Sequence, residues 1–305
     1  MPVFLKPDNI ITARVGSETL TIKQKLIPNG ARADKYICPY VKKGDLVKPN
    51  IKLGADGKPR GITIHNTGRV STPAETNPAE QYARATYPNG NMKGVVVHYW
   101  VYKSEIWQQL SDNERGWHAS DGANRRASHR AGQTIGGNAD TIAIETIETG
   151  VDTETEKTAA MLTAYLLDKY GLSPKYDIYT HNDFLPTKDC PEYILSHWKS
   201  FVSKVTLYYD AIQDARKPAP ASFAAGTLVA IKSGTQKYYP GGADVPAWVV
   251  TDYNHVVTKT ASDGKAVVKG GKNCVLLGKK INRETGKEEP GINTWVDADV
   301  LELVK

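Results

Sequence analysis

Cysteine is scarce in this 305-residue chain: Cys38, Cys190 and Cys274 are all there is, and they lie far apart. Three widely spaced thiols exclude a disulfide framework and suit a reducing compartment. Cys38 and Cys274 read as small buried apolar side chains, which leaves Cys190 for chemistry. No apolar run approaches the ~20 residues that span a bilayer, so no membrane partner is expected. Lysine and arginine never cluster densely and the net charge of +6 is mild, so no nucleic-acid partner is expected either. Met1 to Asp8 have neither a basic lead nor a continuous apolar stretch, so no secretory signal is expected. There is no fixed-period repeat.

What is present fits a globular chain long enough for one large domain or two smaller ones. Residues 9–15 and 19–27 give weak strand signals, and the polar remainder up to Arg60 reads as loops without chemistry. Gly61 to His65 alternates as a strand, with Ile62 and Ile64 on one face and Thr63 and His65 on the other. A helix is expected over 72–87, with Asn77 and Pro78 opening its regular part. Gly94 to Tyr102 reads as a strand with a hairpin partner at Glu105 to Leu110, and residues 120–140 as a surface loop. Thr141 to Glu148 is the next strand, placing Glu145 on the same face as Ala143 and Ile147. Thr153 to Glu156 has the pattern of a capping box and opens a helix that stops at Gly171. A short strand, Tyr176 to Tyr179, precedes a loop, and one helix runs from Pro191 to about Tyr209.

Strands with intervening helices make residues 1–212 an α/β domain. The proline-rich stretch 213–225 reads as a linker. Residues 226–305 hold short strands and Gly/Pro turns, including a run at Trp248 to Val250, and read as a small all-β barrel or sandwich.

The loop from His181 to Cys190 carries the chemistry. Imidazole and thiolate are good zinc ligands, and a zinc enzyme needs three protein ligands and an open position. His65, at a strand end, is the candidate third ligand, with His98, His118 and His129 competing for the place. Lys188 sits two residues before the thiol, where it suits an oxyanion. Glu145, flanked by apolar residues on its own face, suits a proton carrier with a raised pKa. These are the parts of a zinc amide hydrolase.

Five motifs occur in order: Ile62-Thr63-Ile64-His65-Asn66-Thr67, Val97-His98-Tyr99, Gly116-Trp117-His118-Ala119, Ile142-Ala143-Ile144-Glu145, and His181-Asn182-Asp183 with Thr187-Lys188-Asp189-Cys190-Pro191. Over about residues 25–210 this series resembles the zinc-dependent N-acetylmuramoyl-L-alanine amidases of the type-two amidase family, which includes many phage endolysins. The resemblance implies a peptidoglycan-recognition-protein-like fold and one zinc on His65, His181 and Cys190. It implies catalytic roles for Glu145 and Lys188, and a substrate groove lined by Asn66, Trp117, His118 and Asn138. Some members have a catalytic tyrosine where this chain has Val97, which favours Glu145.

The tail resembles the Src-homology-type wall-binding domains of clostridial endolysins in Lys237-Tyr238-Tyr239-Pro240-Gly241-Gly242, Val245-Pro246-Ala247-Trp248-Val249 and Ile292-Asn293-Thr294-Trp295-Val296. That resemblance implies attachment to Gram-positive walls, with Tyr238, Tyr239 and Trp295 as stacking candidates and Trp248 as a core residue. The whole then reads as a monomeric endolysin, held in the host cytoplasm until a holin releases it to the peptidoglycan. The alternatives are a non-catalytic peptidoglycan-binding module and a zinc endopeptidase that cuts the stem peptide.

Overall fold

Ile62, Ile64, Ile142 and Ile144 alternate with Thr63, His65, Ala143 and Glu145 along two short runs, and all eight side chains are buried. Strands covered on both faces belong at the centre of a sheet with helices on each side. The structure, a computed structural model, describes residues 4–36, 39–70, 77–87, 94–122, 134–216 and 223–304. Cys38, His129, the expected helix start at 72–76 and much of the expected linker lie outside them. The chain divides into two compact units, Met1–Arg216 and Lys217–Lys305.

The strands of the first unit are β1 (Asn9–Val15), β2 (Glu18–Gln24), β3 (Gly61–Asn66), β4 (Tyr99–Tyr102), β5 (Glu105–Gln108), β6 (Thr141–Thr146) and β7 (Ile178–Thr180). They form one mixed sheet in the order β1-β2-β5-β4-β6-β3-β7. β4, β6, β3 and β7 are parallel, with His65 level with Glu145 and Ile64 level with Thr180. The helices are α1 (Pro78–Thr86), α2 (Gly137–Asp140), α3 (Thr153–Tyr170), α4 (Glu192–Leu195) and α5 (Trp198–Arg216). Leu162 and Leu166 of α3 and Phe201 and Val205 of α5 pack on the isoleucine face of the sheet. Ala79, Tyr82 and Ala83 of α1 pack on the other, against Ala143 and Ile147. The expected parity of both strands therefore holds.

Local chemistry explains most element ends. The Asn77 side chain accepts the Glu80 amide at 3.1 Å, and Pro78 occupies the first turn of α1. Gly171 stops α3 in the left-handed conformation, with φ 65°. Several expectations for this unit need correction. Residues 137–140, expected within a surface loop, form the buried helix α2. Asp152, not Thr153, caps α3, accepting from Glu154 and Thr155, because a carboxylate one residue earlier reaches the same amides. The strand expected from Gly94 begins only at Tyr99, since Val96 bridges to Trp117 outside the sheet. The helix expected after Pro191 is two, α4 and α5, and α5 continues to Arg216.

The second unit contains β8 (Leu228–Ile231), α6 (Ala247–Thr251), β9 (Tyr253–Lys259), β10 (Ala261–Ser262), β11 (Lys265–Lys269), β12 (Lys272–Asn282), β13 (Glu288–Asp297) and β14 (Leu301–Leu303). Its sheet runs β10-β11-β12-β9-β8-β14, with β13 also paired to β12. The run expected as a strand at Trp248 is instead the short helix α6, which follows Pro246. No helix among the described residues is long and apolar enough to cross a membrane.

Glu148, just beyond β6, is 1% exposed, and neither carboxylate oxygen has a hydrogen-bond partner of normal geometry. Burial, followed by the charges of Glu156 and Asp152, raises its pKa to about 7, with Thr146 and the Asp152 backbone opposing only in part. The folded state then holds this proton more tightly than the unfolded chain. Its contribution to stability is full below the unfolded pKa near 4.5 and is lost as pH rises to about 7. Glu148→Gln is expected to flatten this dependence and to stabilise the chain by about 1–3 kcal/mol above pH 7. Denaturant melts at pH 5 and pH 8 test this; an equal effect of the substitution at both would disprove it.

Candidate metal centre

The parallel register brings the chemistry to one end of the sheet. His65 is the penultimate residue of β3, Glu145 stands beside it on β6, and β7 runs straight into His181. Thr180 and Asp183 cap the turn that follows, each side chain accepting from the other's backbone. Cys190 returns to His181 because Asn182 fastens the loop. Its backbone N–H donates to the Cys190 carbonyl at 3.0 Å, and its side-chain amide donates to the Pro186 and Lys188 carbonyls, both at 3.1 Å. Asn182 was not singled out from the sequence, although its place directly after a candidate ligand was a usable signal.

His65 Nδ1 lies 3.1 Å from His181 Nδ1 and 3.9 Å from Cys190 Sγ, and the three donors fall within 4.8 Å of one another. In a tetrahedral zinc site, with Zn–N of about 2.0–2.1 Å and Zn–S of about 2.3 Å, donors stand roughly 3.3–3.6 Å apart. The observed spacings bracket that range. Two imidazoles and one thiol are also the donor set that zinc favours over magnesium or calcium. The residues therefore fit the metal that the sequence implied. Among the described residues this is the one cluster of three such donors.

Burial sets the charge states of the centre. Desolvation first, then the charges of His181, His118 and Lys188, holds the His65 pKa well below the ordinary imidazole value. Desolvation and then Lys188 lower His181 to about 3. Desolvation, with Glu145 adding to it, pushes the Cys190 thiol up to about 12. Glu145 is raised to about 8 by burial, against the pull of Lys188, and its Oε2 has no hydrogen-bond partner. Without a cation the imidazoles stay neutral and the thiol protonated. A divalent ion reverses this for the thiol by supplying the missing charge.

The other expected site residues separate into two groups. Lys188 is exposed and lines a groove of about 820 Å³ together with Trp117, His118 and Asn138. Asn66 instead folds its side chain locally, its Oδ1 accepting from Gly68 at 2.8 Å and its Nδ2 donating to Thr146 at 3.3 Å. His118 stands mainly behind the donors: it is 5% exposed, and its Nδ1 is 3.0 Å from His65 Nε2. When His65 offers Nδ1 to a metal, its proton sits on Nε2, and His118 is the group that accepts it. Asn138 supports this placement, its Oδ1 accepting the His118 and Ala119 amides at 2.7 and 2.8 Å. Gly137 allows the close approach, since a Cβ there would lie 2.2 Å from that of Ala119. His98 is buried too, fixed between the Ala143 amide and the Glu114 carbonyl, and belongs to the framework.

In the second unit Tyr238 is buried among Val257, Leu277 and Val296, so it is core and not a stacking surface. Tyr239 and Trp295 are half-buried. Trp248, expected in the core, is 44% exposed on α6, with the Lys280 ammonium 4.7 Å from its ring.

Residues 55–193 match the family model described as N-acetylmuramoyl-L-alanine amidase. The chain is 30% identical over 151 residues to the N-acetylmuramoyl-L-alanine amidase CwlH of Bacillus subtilis, covering 48% of this chain and 53% of that one. It is 28% identical over 163 residues to the amidase XlyA of the same organism, covering 52% and 50%. Among solved structures, the catalytic domain of XlyA aligns at 27% identity over 60% of this chain and 98% of that one, with a TM-score of 0.45. The chain spans about half the length of the curated relatives it matches. The family match and the relatives' names support the enzyme class that the motifs implied.

Two substitutions test the centre. Cys190→Ser is expected to lose stoichiometric zinc while keeping the far-ultraviolet spectrum of the parent. His118→Gln is expected to weaken zinc binding about 10–100-fold, as for other outer partners of a ligating imidazole. Competition with a chromophoric chelator measures both, and wild-type affinity in His118→Gln would remove His118 from the centre.

Proposed function

We propose that this chain is a peptidoglycan hydrolase, cleaving the amide between the lactyl group of N-acetylmuramic acid and L-alanine. The observation that carries the reading is the convergence of His65, His181 and Cys190 beside Glu145, with His118, which touches His65, and Lys188 lining one groove. His65 and His181 through Nδ1 and Cys190 through Sγ would hold zinc, which supplies a Lewis acid and lowers the pKa of water toward ~7. Once the positive charge of a bound metal has ionised its carboxyl, Glu145 would accept the proton of the attacking water at its unpartnered Oε2 and return it to the leaving amine of L-alanine. The Lys188 ammonium stabilises the negative charge that grows on the carbonyl oxygen. His118 keeps the His65 ring in the tautomer that leaves Nδ1 free. Burial keeps bulk water from competing for these groups, which strengthens each interaction.

The second unit, whose sheet we read as a small barrel, holds the enzyme on Gram-positive walls. Trp248 is the exposed aromatic that best suits stacking on a wall component, and Tyr239 and Trp295 offer partial faces. The enzyme acts as a monomer and reaches the wall from the host cytoplasm through a holin pore.

Purified protein is expected to carry one zinc and to clear suspended Gram-positive walls, to stop after chelation and to recover with added zinc. Mass analysis of the digest should show free L-alanine amino groups and intact glycan. Cleavage within the stem peptide instead would make the enzyme an endopeptidase. Binding without clearing, even with zinc restored, would make it a binding module. Glu145→Gln is expected to keep zinc but lose about 10²–10⁴-fold in rate; full activity would reduce Glu145 to a strand carboxylate.

A further inference from the structure

Among the described residues of the second unit, Trp248 is the one exposed aromatic side chain, while Val249 beside it is fully buried. The helix that carries both is fixed in place. Val249 packs in the core with Val257 and Leu277. His255 of β9, itself 0% exposed, donates its Nε2–H to the Val249 carbonyl at 2.9 Å. Asp252 N–H closes the helix on the Trp248 carbonyl at 3.0 Å, and the Asp252 carbonyl accepts the Arg283 amide at 2.9 Å. The indole thus faces water from a rigid base.

Three side chains surround it. Tyr253 meets it edge to face, with ring centroids 5.8 Å apart and planes at 81°. The Lys280 ammonium of β12 lies over both rings, 4.7 Å from the Trp248 centroid and 3.9 Å from that of Tyr253. Glu289 is level with Lys280 on β13, stands 3.5 Å from its ammonium and accepts from the Tyr253 hydroxyl at 3.3 Å. An indole left in water forgoes the stabilisation that burial would give. An ion pair at the surface returns little of it. The cluster is better explained by a ligand than by the fold.

Its chemistry describes that ligand. The charges of Lys280 and Glu289 offset each other, so the surface does not select a strongly charged polymer. It presents a strong donor and a strong acceptor beside two aromatic rings. At Lys280, β12 is paired to β9 on one side and to β13 on the other, so no open strand edge is there for an extended peptide to join. The match is a molecule with an apolar face, donors and acceptors around its rim, and no net charge. A sugar ring meets all three conditions: its C–H face suits the indole and its hydroxyls suit the charged pair. An acetamido substituent adds an N–H for Glu289 and a carbonyl for Lys280.

We infer that Trp248, Tyr253, Lys280 and Glu289 form a saccharide site for an uncharged N-acetylated sugar of the glycan strand, with the sugar ring stacked on Trp248 and its rim bonded to Lys280 and Glu289. The inference rests on the reading of the second unit as a wall anchor and deepens it. It assigns the anchor to the glycan and not to the peptide, through three residues that no motif singled out.

The test titrates the full chain with a linear N-acetylglucosamine tetrasaccharide, which carries no peptide. Calorimetry is expected to show saturable binding, accompanied by a change in tryptophan emission. The chain has six tryptophans, so a variant must identify the source. Trp248→Ala should abolish the emission change and weaken binding about tenfold or more, as for a central aromatic anchor. Lys280→Met and Glu289→Ala should each weaken it about tenfold, as for loss of a charged hydrogen bond. Trp248→Phe keeps a smaller ring on the same helix and should fall between, and it decides the matter if the alanine variant melts early. No saturable binding, or equal affinity in the wild type and the Trp248 variants, overturns the site. Sedimentation with Gram-positive walls separates it from the anchor reading, using the Glu145→Gln background to slow cleavage. Attachment that Trp248→Ala reduces supports both. Attachment that Trp248→Ala keeps in full overturns the inference and leaves the anchor elsewhere on the unit. No attachment at all removes the anchor reading, and the tetrasaccharide titration then decides the site by itself.

Discussion

The parallel alignment of β6, β3 and β7 is the constraint on which the centre depends. It sets His65 level with Glu145 and carries the chain from Thr180 directly into His181. Side chains in a strand alternate, so a slip of one residue would turn His65 or Glu145 toward α3 and bring an isoleucine to the site. Both faces resist such a slip. Ile62, Ile64, Ile142 and Ile144 fill the α3–α5 side, and a polar residue moved there would be buried without a partner. On the other side the Thr63 and Thr141 hydroxyls meet at 2.6 Å, and at the strand end the Thr146 hydroxyl donates to the His65 carbonyl at 2.9 Å. The register is therefore fixed by packing on one face and by hydrogen bonds at the other.

Alignment brings together groups that burial keeps uncharged. Low imidazole pKa values, a thiol near 12 and a carboxyl near 8 all follow from desolvation acting before any pairwise charge. Each of these side chains costs more to ionise than it would in water. A single divalent cation offsets much of that cost for the thiolate, so metal uptake and proton release are expected to be coupled. His65 lies between two partners, with Nδ1 toward the donors and Nε2 toward His118. That division is why one imidazole at the centre needs a second behind it.

Much of this was legible in the sequence where the signal was periodic. The alternation at Gly61 to His65 and Thr141 to Glu148 gave the correct faces, since one face of each run is a stripe of isoleucine. Gly171 marked the end of α3 because only a left-handed residue fits there. His65, His181 and Cys190 were legible as donors, and the structure brings all three within reach. Less was legible where two short-range solutions compete. Asp152 and Thr153 are both good caps, and the carboxylate took the position. A short apolar run such as Trp248 to Val250 suits a helix as well as a strand, and Pro246 before it favours the helical turn. The role of His118 was hidden because an isolated histidine carries no sign of what stands behind it.

The wall that Arg32, Asp45 and Leu46 add to the groove was illegible for a different reason. It has neither period nor regular element, and its order comes from backbone bonds between segments ten or more residues apart. Such a loop is polar because Arg32, Asp34 and Tyr40 face water, yet its base is anchored by Val47 and Ile27 in an apolar cluster. The 181–190 loop repeats that design with Asn182 as the fastener, leaving Lys188 exposed on a fixed backbone. Lys188 thus stands exposed above main chain that the loop's own hydrogen bonds hold in place.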